Sequence, residues 1–220
     1  MLRFKFISVK FFCYLCLFLV ITTNAEANLL LNGDFNTPRS GLSAPNYATS
    51  LIGYGANGDS SAQDWNYNSR SNASTELLST TDPAGTGYMI HVTQDGPSVG
   101  IYQKLSVSGY VSASVDIYIN FGEVYFALYG SDCCNPLTSM TLNAVGQWQK
   151  LNLPSVDVTG MPLTFVVYDN TGANFTTGGD FFVDNAVLTK ISEPSTIWLF
   201  FSGVLASFCR FKKLASVVQP

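Results

Sequence analysis

Two neighbouring stretches of the chain sort their residues with a period of two. Across 115–120, Val115, Ile117 and Ile119 alternate with Asp116, Tyr118 and Asn120; across 123–129, Val124, Phe126 and Leu128 alternate with Glu123, Tyr125, Ala127 and Tyr129. Successive side chains of a β-strand point to opposite faces, so each stretch is predicted as a strand with one face in a core and the other toward solvent. Similar runs, rich in Val, Ile, Tyr, Phe and Thr, lie at 88–92, 100–105, 111–120, 124–129, 148–153, 163–168 and 181–188, separated by Gly, Asn, Asp, Ser and Pro. Helical periodicity is almost absent. Many short strands between turn residues predict an all-β sandwich or barrel. Residues 36–75 differ: they hold Asn, Ser, Gly and Ala with aromatic islands at Tyr47, Tyr54, Trp65 and Tyr67, and read as long ordered loops. No internal repeat is visible.

The two ends carry another pattern. Arg3, Lys5 and Lys10 precede or border an apolar stretch at 11–21, and Ala25-Glu26-Ala27 supplies the small-x-small pattern that a signal peptidase reads. Cleavage is expected after Ala27, giving a 1–27 signal peptide, with a retained N-terminal anchor as the alternative. At the other end Glu193-Pro194-Ser195 is followed by an apolar or small run at 197–208 and then by Arg210, Lys212 and Lys213. That charge order is the one of a stop-transfer segment with its positive end in the cytoplasm, yet the run is shorter than the roughly 20 apolar residues of a full span. The tail resembles the PEP-CTERM sorting signal of exported bacterial proteins. The resemblance implies recognition and cutting by an exosortase at 193–213, a 214–220 cytoplasmic tail, transient anchoring in the inner membrane, and delivery to the cell envelope or extracellular matrix. A hydrophobic helix packed on a core is the plain alternative.

Between these ends, residues 28–192 hold five basic residues (Arg39, Arg70, Lys104, Lys150 and Lys190) against thirteen acidic ones, a net charge of −8. Nucleic acid binding needs phosphates neutralised by Lys and Arg, and five scattered cations form no such stripe. Only Cys133 and Cys134 remain in this interval, so it is no disulfide scaffold. Consecutive Cα atoms lie about 3.8 Å apart, below the usual disulfide separation of roughly 4.4–6.8 Å. An oxidising exterior still allows a vicinal bridge, and free or otherwise paired thiols are equally compatible with the turn sequence around them. Two thiols without further Cys or His make no zinc set.

The interval opens on Asn28-Leu29-Leu30-Leu31-Asn32-Gly33-Asp34-Phe35, continues through Trp65, Val99-Gly100-Ile101-Tyr102-Gln103 and Gly146-Gln147-Trp148-Gln149-Lys150-Leu151, and closes on Phe182-Val183-Asp184-Asn185-Ala186-Val187-Leu188. In this order and spacing it resembles the galactose-binding-like jelly rolls, among them families 4 and 9 of carbohydrate-binding modules. The resemblance implies a two-sheet jelly-roll sandwich in which opening and closing strands meet. It also implies a structural Ca²⁺ with Asp184 as side-chain ligand and Asp34 with neighbouring carbonyls as further candidates. Asn36 stands where the related motif often has an acidic residue, and a turn-bonded Asp184 without metal is the alternative.

Sugar recognition needs flat apolar faces plus amides and carboxylates. The period-two sorting offers Tyr118, Tyr125 and Tyr129 beside Asp116, Glu123 and Asn120, expected on one sheet face as a glycan platform, with Trp65 and Tyr67 completing a cleft from the loop and Trp148 in the core. Tyrosines chosen for β-propensity alone, or covered by the 36–75 loops, are the competing reading. No His-dependent triad is expected, because His91 is the lone histidine, lies in a strand with a satisfied ring, and no Gly-x-Ser-x-Gly elbow exists. Glycoside hydrolysis needs two facing carboxylates, and no pattern selects a pair from Glu76, Glu123 and eleven aspartates. The expected function is therefore a non-enzymatic, polysaccharide-binding exported protein, with a structural surface or matrix protein as rival and a polysaccharide hydrolase or lyase behind it.

Overall fold

The alternation seen in the sequence is used twice over, because over much of its length the chain deals successive strands alternately to two sheets. The computed structural model describes residues 27–42, 47–51, 56–69, 73–78, 87–94, 100–132, 135–169 and 179–191. Twelve strands run in chain order: β1 (Tyr47–Leu51), β2 (Ala56–Asp59), β3 (Asn66–Ser69), β4 (Ala73–Leu78), β5 (Met89–Gln94), β6 (Gly100–Leu105), β7 (Tyr110–Phe121), β8 (Val124–Tyr129), β9 (Pro136–Leu142), β10 (Trp148–Asp157), β11 (Leu163–Asp169) and β12 (Asp180–Ile191). They form a first sheet in the order β1-β4-β5-β12-β7-β10 and a second in the order β2-β3-β6-β11-β8-β9, all neighbours antiparallel. The fold is an all-β two-sheet sandwich whose chain passes from sheet to sheet in jelly-roll fashion, and no helix occurs among the described residues.

All seven expected strands are present. The 36–75 segment is a correction: it supplies β1, β2 and β3 and leads into β4, and β9 was likewise unmarked in the sequence. β1, β2 and β3 are built mostly from Ala, Ser, Thr, Asn, Asp and Gly, the residues that signal loops, so composition hid them. In β4 the alternation survives as buried Ala73, Thr75 and Leu77 against half-buried neighbours.

The core lies between the sheets. Val115, Ile117 and Ile119 of β7 meet Phe126, Leu128, Phe165 and Val167 of β8 and β11 in one buried cluster that also holds Phe35, Trp65 and Tyr67. Burying side chains of this kind stabilises by about 1.5–3 kcal/mol each.

The opening and closing segments meet, as the jelly-roll resemblance implies. Leu29 N–H donates to Leu188 O at 2.8 Å and Ala186 N–H to Gly33 O at 2.8 Å. Asn28 completes the seam, donating through Nδ2 to Ala186 O and accepting at Oδ1 from Leu30 and Leu188. The Asn-Gly-Asp-Phe turn is a clamp: Asn32 Oδ1 accepts from Thr37 N–H while its Nδ2 donates to Thr37 O and Gln63 O. In β12 the register slips between Asp184 and Val187, and Asn185 takes the left-handed φ of 47° that an asparagine tolerates.

Candidate functional site

The outward face of β8 and β11 is paved with tyrosine. Tyr125 lies opposite Tyr168, and Tyr129 opposite Thr164. The Tyr125 and Tyr168 rings are 4.9 Å apart at 46°. The Tyr129 and Tyr168 hydroxyls approach to 3.4 Å, although Thr164 and Tyr168 are separated by about 13 Å along their strand at 3.3 Å per residue. Two tyrosines rooted that far apart bring their hydroxyls together only by lying along the sheet toward each other. Their bodies therefore cover the floor between them, which is why outward-facing Ala127 is 0% exposed and Val166 9%. Rings lying down show a flat face to solvent, whereas rings standing up show an edge.

The paving continues across β6 and β3. Val166 is opposite Tyr102 and Tyr102 opposite Asn66, while Tyr168 is opposite Gly100 and Gly100 opposite Asn68. A Cβ on Gly100 would fall 2.5 Å from the Tyr168 Cβ, so the missing side chain is what lets Tyr168 settle. Lys104 Nζ sits 5.9 Å from the centre of the Tyr102 ring. Burial, with the Asp59 carboxylate adding to it, raises the Tyr102 phenol above its usual range, so it remains a neutral hydrogen-bond donor at and above neutral pH. Beside it a groove of about 360 Å³ is lined by Leu31, Asp64, Asn66, Tyr102, Gln103, Lys104 and Leu105. Gln103 fixes its walls: Nε2 donates to Leu31 O and Asp64 O, and Oε1 accepts from Leu31 N–H.

The expected single platform is divided by the fold. The turn at Phe121-Gly122-Glu123, with φ of 101° at Gly122, passes the chain from the first sheet to the second instead of closing a hairpin. Tyr118, Asp116 and Asn120 on β7 consequently face outward from the first sheet, while Tyr125 and Tyr129 on β8 face outward from the second, on the opposite side of the sandwich. Glu123 lies half-buried in the turn before β8.

Trp65 and Tyr67 require a second correction. Both are 0% exposed and offer nothing to a ligand. Trp65 packs against Phe35 at 5.0 Å and Phe165 at 5.7 Å, and its Nε1–H donates to Asn32 O at 3.0 Å. Trp148, expected in the core, is half-buried on the outer face of the first sheet with its ring 5.7 Å from Tyr118. Sequence reasoning missed Tyr168 and Tyr102, although the same period-two sorting of the recognised strands at 163–168 and 100–105 opposes them to Phe165, Val167 and Ile101.

His91 is a strand residue with a satisfied ring, its Nε2 2.8 Å from Asp180 Oδ1 and its Nδ1 3.8 Å from Glu76 Oε2. Asp184 is 1% exposed, its carboxylate accepting from the backbone and side-chain amides of Asn185. Asn185 Nδ2 also reaches Asp116 Oδ2, whose other oxygen is 3.3 Å from Lys150 Nζ. Asp34 is exposed and accepts from Asn36. The seam oxygens of Gly33, Ala186 and Asn28 also accept from N–H donors. Among the described residues no group of three or more His, Cys, Asp or Glu side chains is assembled for a metal. A hard cation wants six or more oxygens, and this seam closes on amide hydrogens. Cys133, Cys134 and Glu193-Pro194-Ser195 lie outside the described residues.

No family model matches the sequence, and no curated protein matches it. Solved structures do share its outline. TmCBM61, in complex with β-1,4-galactotriose, is similar over 76% of this chain and 100% of its own, at 14% identity and a TM-score of 0.48. The family 11 carbohydrate-binding module of the cellulosomal cellulase Lic26A-Cel5E of Clostridium thermocellum is similar over 78% and 98%, at 17% identity and a TM-score of 0.44. A xylan-binding domain from carbohydrate-binding module family 22 is similar over 63% and 95%, at 16% identity and a TM-score of 0.42.

Proposed function

We propose that the chain is an exported, non-enzymatic β-sandwich that binds a polysaccharide on the outer face of its second sheet. The observation that carries this reading is the tyrosine paving. Tyr168 and Tyr129 lie along the sheet over Ala127 and Val166, the Tyr125 ring leans against Tyr168 at 4.9 Å and 46°, and Tyr102 extends the row toward Asn66 and the groove beside it. Flat rings remove the apolar faces of pyranose units from water, while phenol, amide and ammonium groups at the rim take the hydroxyls. The domain's net charge of −8 favours a neutral glycan over a polyanion.

Affinity electrophoresis of the purified full-length protein against β-1,4-galactan, mixed-linkage β-glucan and xylan tests this. Selective retardation is expected, and Tyr125→Ala is expected to weaken it at least tenfold, the scale of an aromatic anchor, with an unchanged fold by circular dichroism. A folded protein that ignores every glycan would overturn the reading and leave the structural surface or matrix protein in its place.

A structural Ca²⁺ held by Asp184 with Asp34 is a separate part of the proposal, since the ion would have to draw Asp184 away from Asn185. A Tm that rises with calcium and no longer does so in Asp184→Asn supports it; equal Tm values with calcium and with chelator remove it. Export by signal peptidase and sorting to the envelope or matrix by an exosortase rest on 1–27 and 193–213. An intact mass matching removal of both segments supports them, and an uncut chain counts against them.

A further inference from the structure

On the opposite side of the sandwich four rings stand in one register line. His91 is opposite Phe182, Phe182 opposite Tyr118 and Tyr118 opposite Trp148, each on a neighbouring strand of the first sheet. With strands about 4.8 Å apart, the line crosses roughly 15 Å of sheet, at right angles to β5, β12, β7 and β10. His91 and Phe182 stack face to face at 4.4 Å and 13°, so this pair stands upright and stiffens the row. The planes then turn, by 68° from Phe182 to Tyr118 and by 56° from Tyr118 to Trp148. Trp148 ends the row on β10, the last strand of the sheet. All four rings remain partly exposed, and the row is rimmed by exposed Asn120 on one side and by Lys150, 51% exposed, on the other.

Resting on the proposed function, we infer that Tyr118 and Trp148 form a second glycan-contact surface, so that one domain holds two chains of the same neutral polysaccharide and cross-links them. The occupant follows from the chemistry: partly exposed rings with the Asn120 amide and the Lys150 ammonium at their rim supply the same groups as the other face, where Asn66 and Lys104 stand beside Tyr102. The two surfaces point away from each other across sheets packed about 10 Å apart, so occupation of one leaves the other open. Two weak sites on one rigid body hold a polymer network by avidity without either being strong.

The test uses the full-length protein with soluble β-1,4-galactan, mixed-linkage β-glucan and xylan, reading affinity by electrophoresis and cross-linking by viscosity. The wild type is expected to raise viscosity several-fold with any glycan it binds. Trp148→Ala and Tyr125→Ala are each expected to keep weakened binding but lose the viscosity rise, and Trp148→Phe is expected to restore part of it, which guards against a folding defect. A wild type that binds without thickening, a Trp148→Ala protein that thickens like wild type, or a Tyr125→Ala protein with no residual binding each overturns the second surface while leaving the first. Absence of wild-type binding to all three overturns both.

Discussion

Trp65→Ala is expected to lower the stability of the domain by about 3–5 kcal/mol, the range of a fully buried Trp or Phe truncation, and its Tm by roughly 6–20 °C at 2–4 °C per kcal/mol for a domain of this size. The ring is enclosed by Phe35 and Phe165, and its Nε1–H satisfies Asn32 O at 3.0 Å. Truncation therefore opens a cavity and removes a hydrogen bond that ties the opening turn to the second sheet. Phe35 amplifies the loss. It sits in the turn with a left-handed φ of 53°, a conformation an aromatic residue holds only when its surroundings impose it, and Trp65 is one of those surroundings. Thermal unfolding followed by circular dichroism checks the effect, and glycan affinity of the still-folded fraction at low temperature separates packing from binding. A variant of wild-type Tm with lost affinity would return Trp65 to the ligand surface.

The strands that were legible in the sequence are those where large β-branched or aromatic residues alternate with polar ones, as in β7 and β8, because each side chain announces its face. β2 and β3 are written in Ala, Asn, Gly, Asp, Ser and Tyr, and nothing in that alphabet separates a strand from a loop. Trp65 misled for a related reason: an aromatic residue in loop-like sequence reads as exposed, and what encloses it is Phe35 and Phe165, both remote in sequence. The tyrosines of β8 were legible as a face, but the sheet they face from was not. Period two says only that a side chain points away from the core. Whether β7 and β8 point away together or in opposite directions is decided by the turn at Gly122, where a hairpin and a crossover between sheets differ by backbone angles that the sequence does not print. The division of the expected platform into two opposite surfaces follows from that turn.

Gly33→Ala is expected to cost about 3–5 kcal/mol, combining overpacking of about 1–3 kcal/mol with two hydrogen bonds worth about 1 kcal/mol each. A Cβ at this position would lie 2.2 Å from Ala186 O and 2.6 Å from Asn28 Nδ2. The first is backbone of β12 and the second is held by its own bonds to β12, so neither gives way cheaply. To admit a methyl group the opening segment must lift from β12, which strains or breaks the 2.8 Å bonds from Ala186 N–H to Gly33 O and from Asn28 Nδ2 to Ala186 O. The seam is also where β12 makes its bulge, with Asp184 and Asp116 buried around it and Asn185 half-buried between them, so loosening it exposes two carboxylates that the amide of Asn185 now joins. Hydrogen exchange distinguishes this route from a general loss of stability: amides of 186–190 are expected to lose protection first in Gly33→Ala, while those of β8 and β11 keep theirs and the tyrosine face keeps its glycan affinity. Equal loss of protection in both sheets would mean that the seam is an inseparable part of the core, and the opening segment would then be a strand of the sandwich in its energetics.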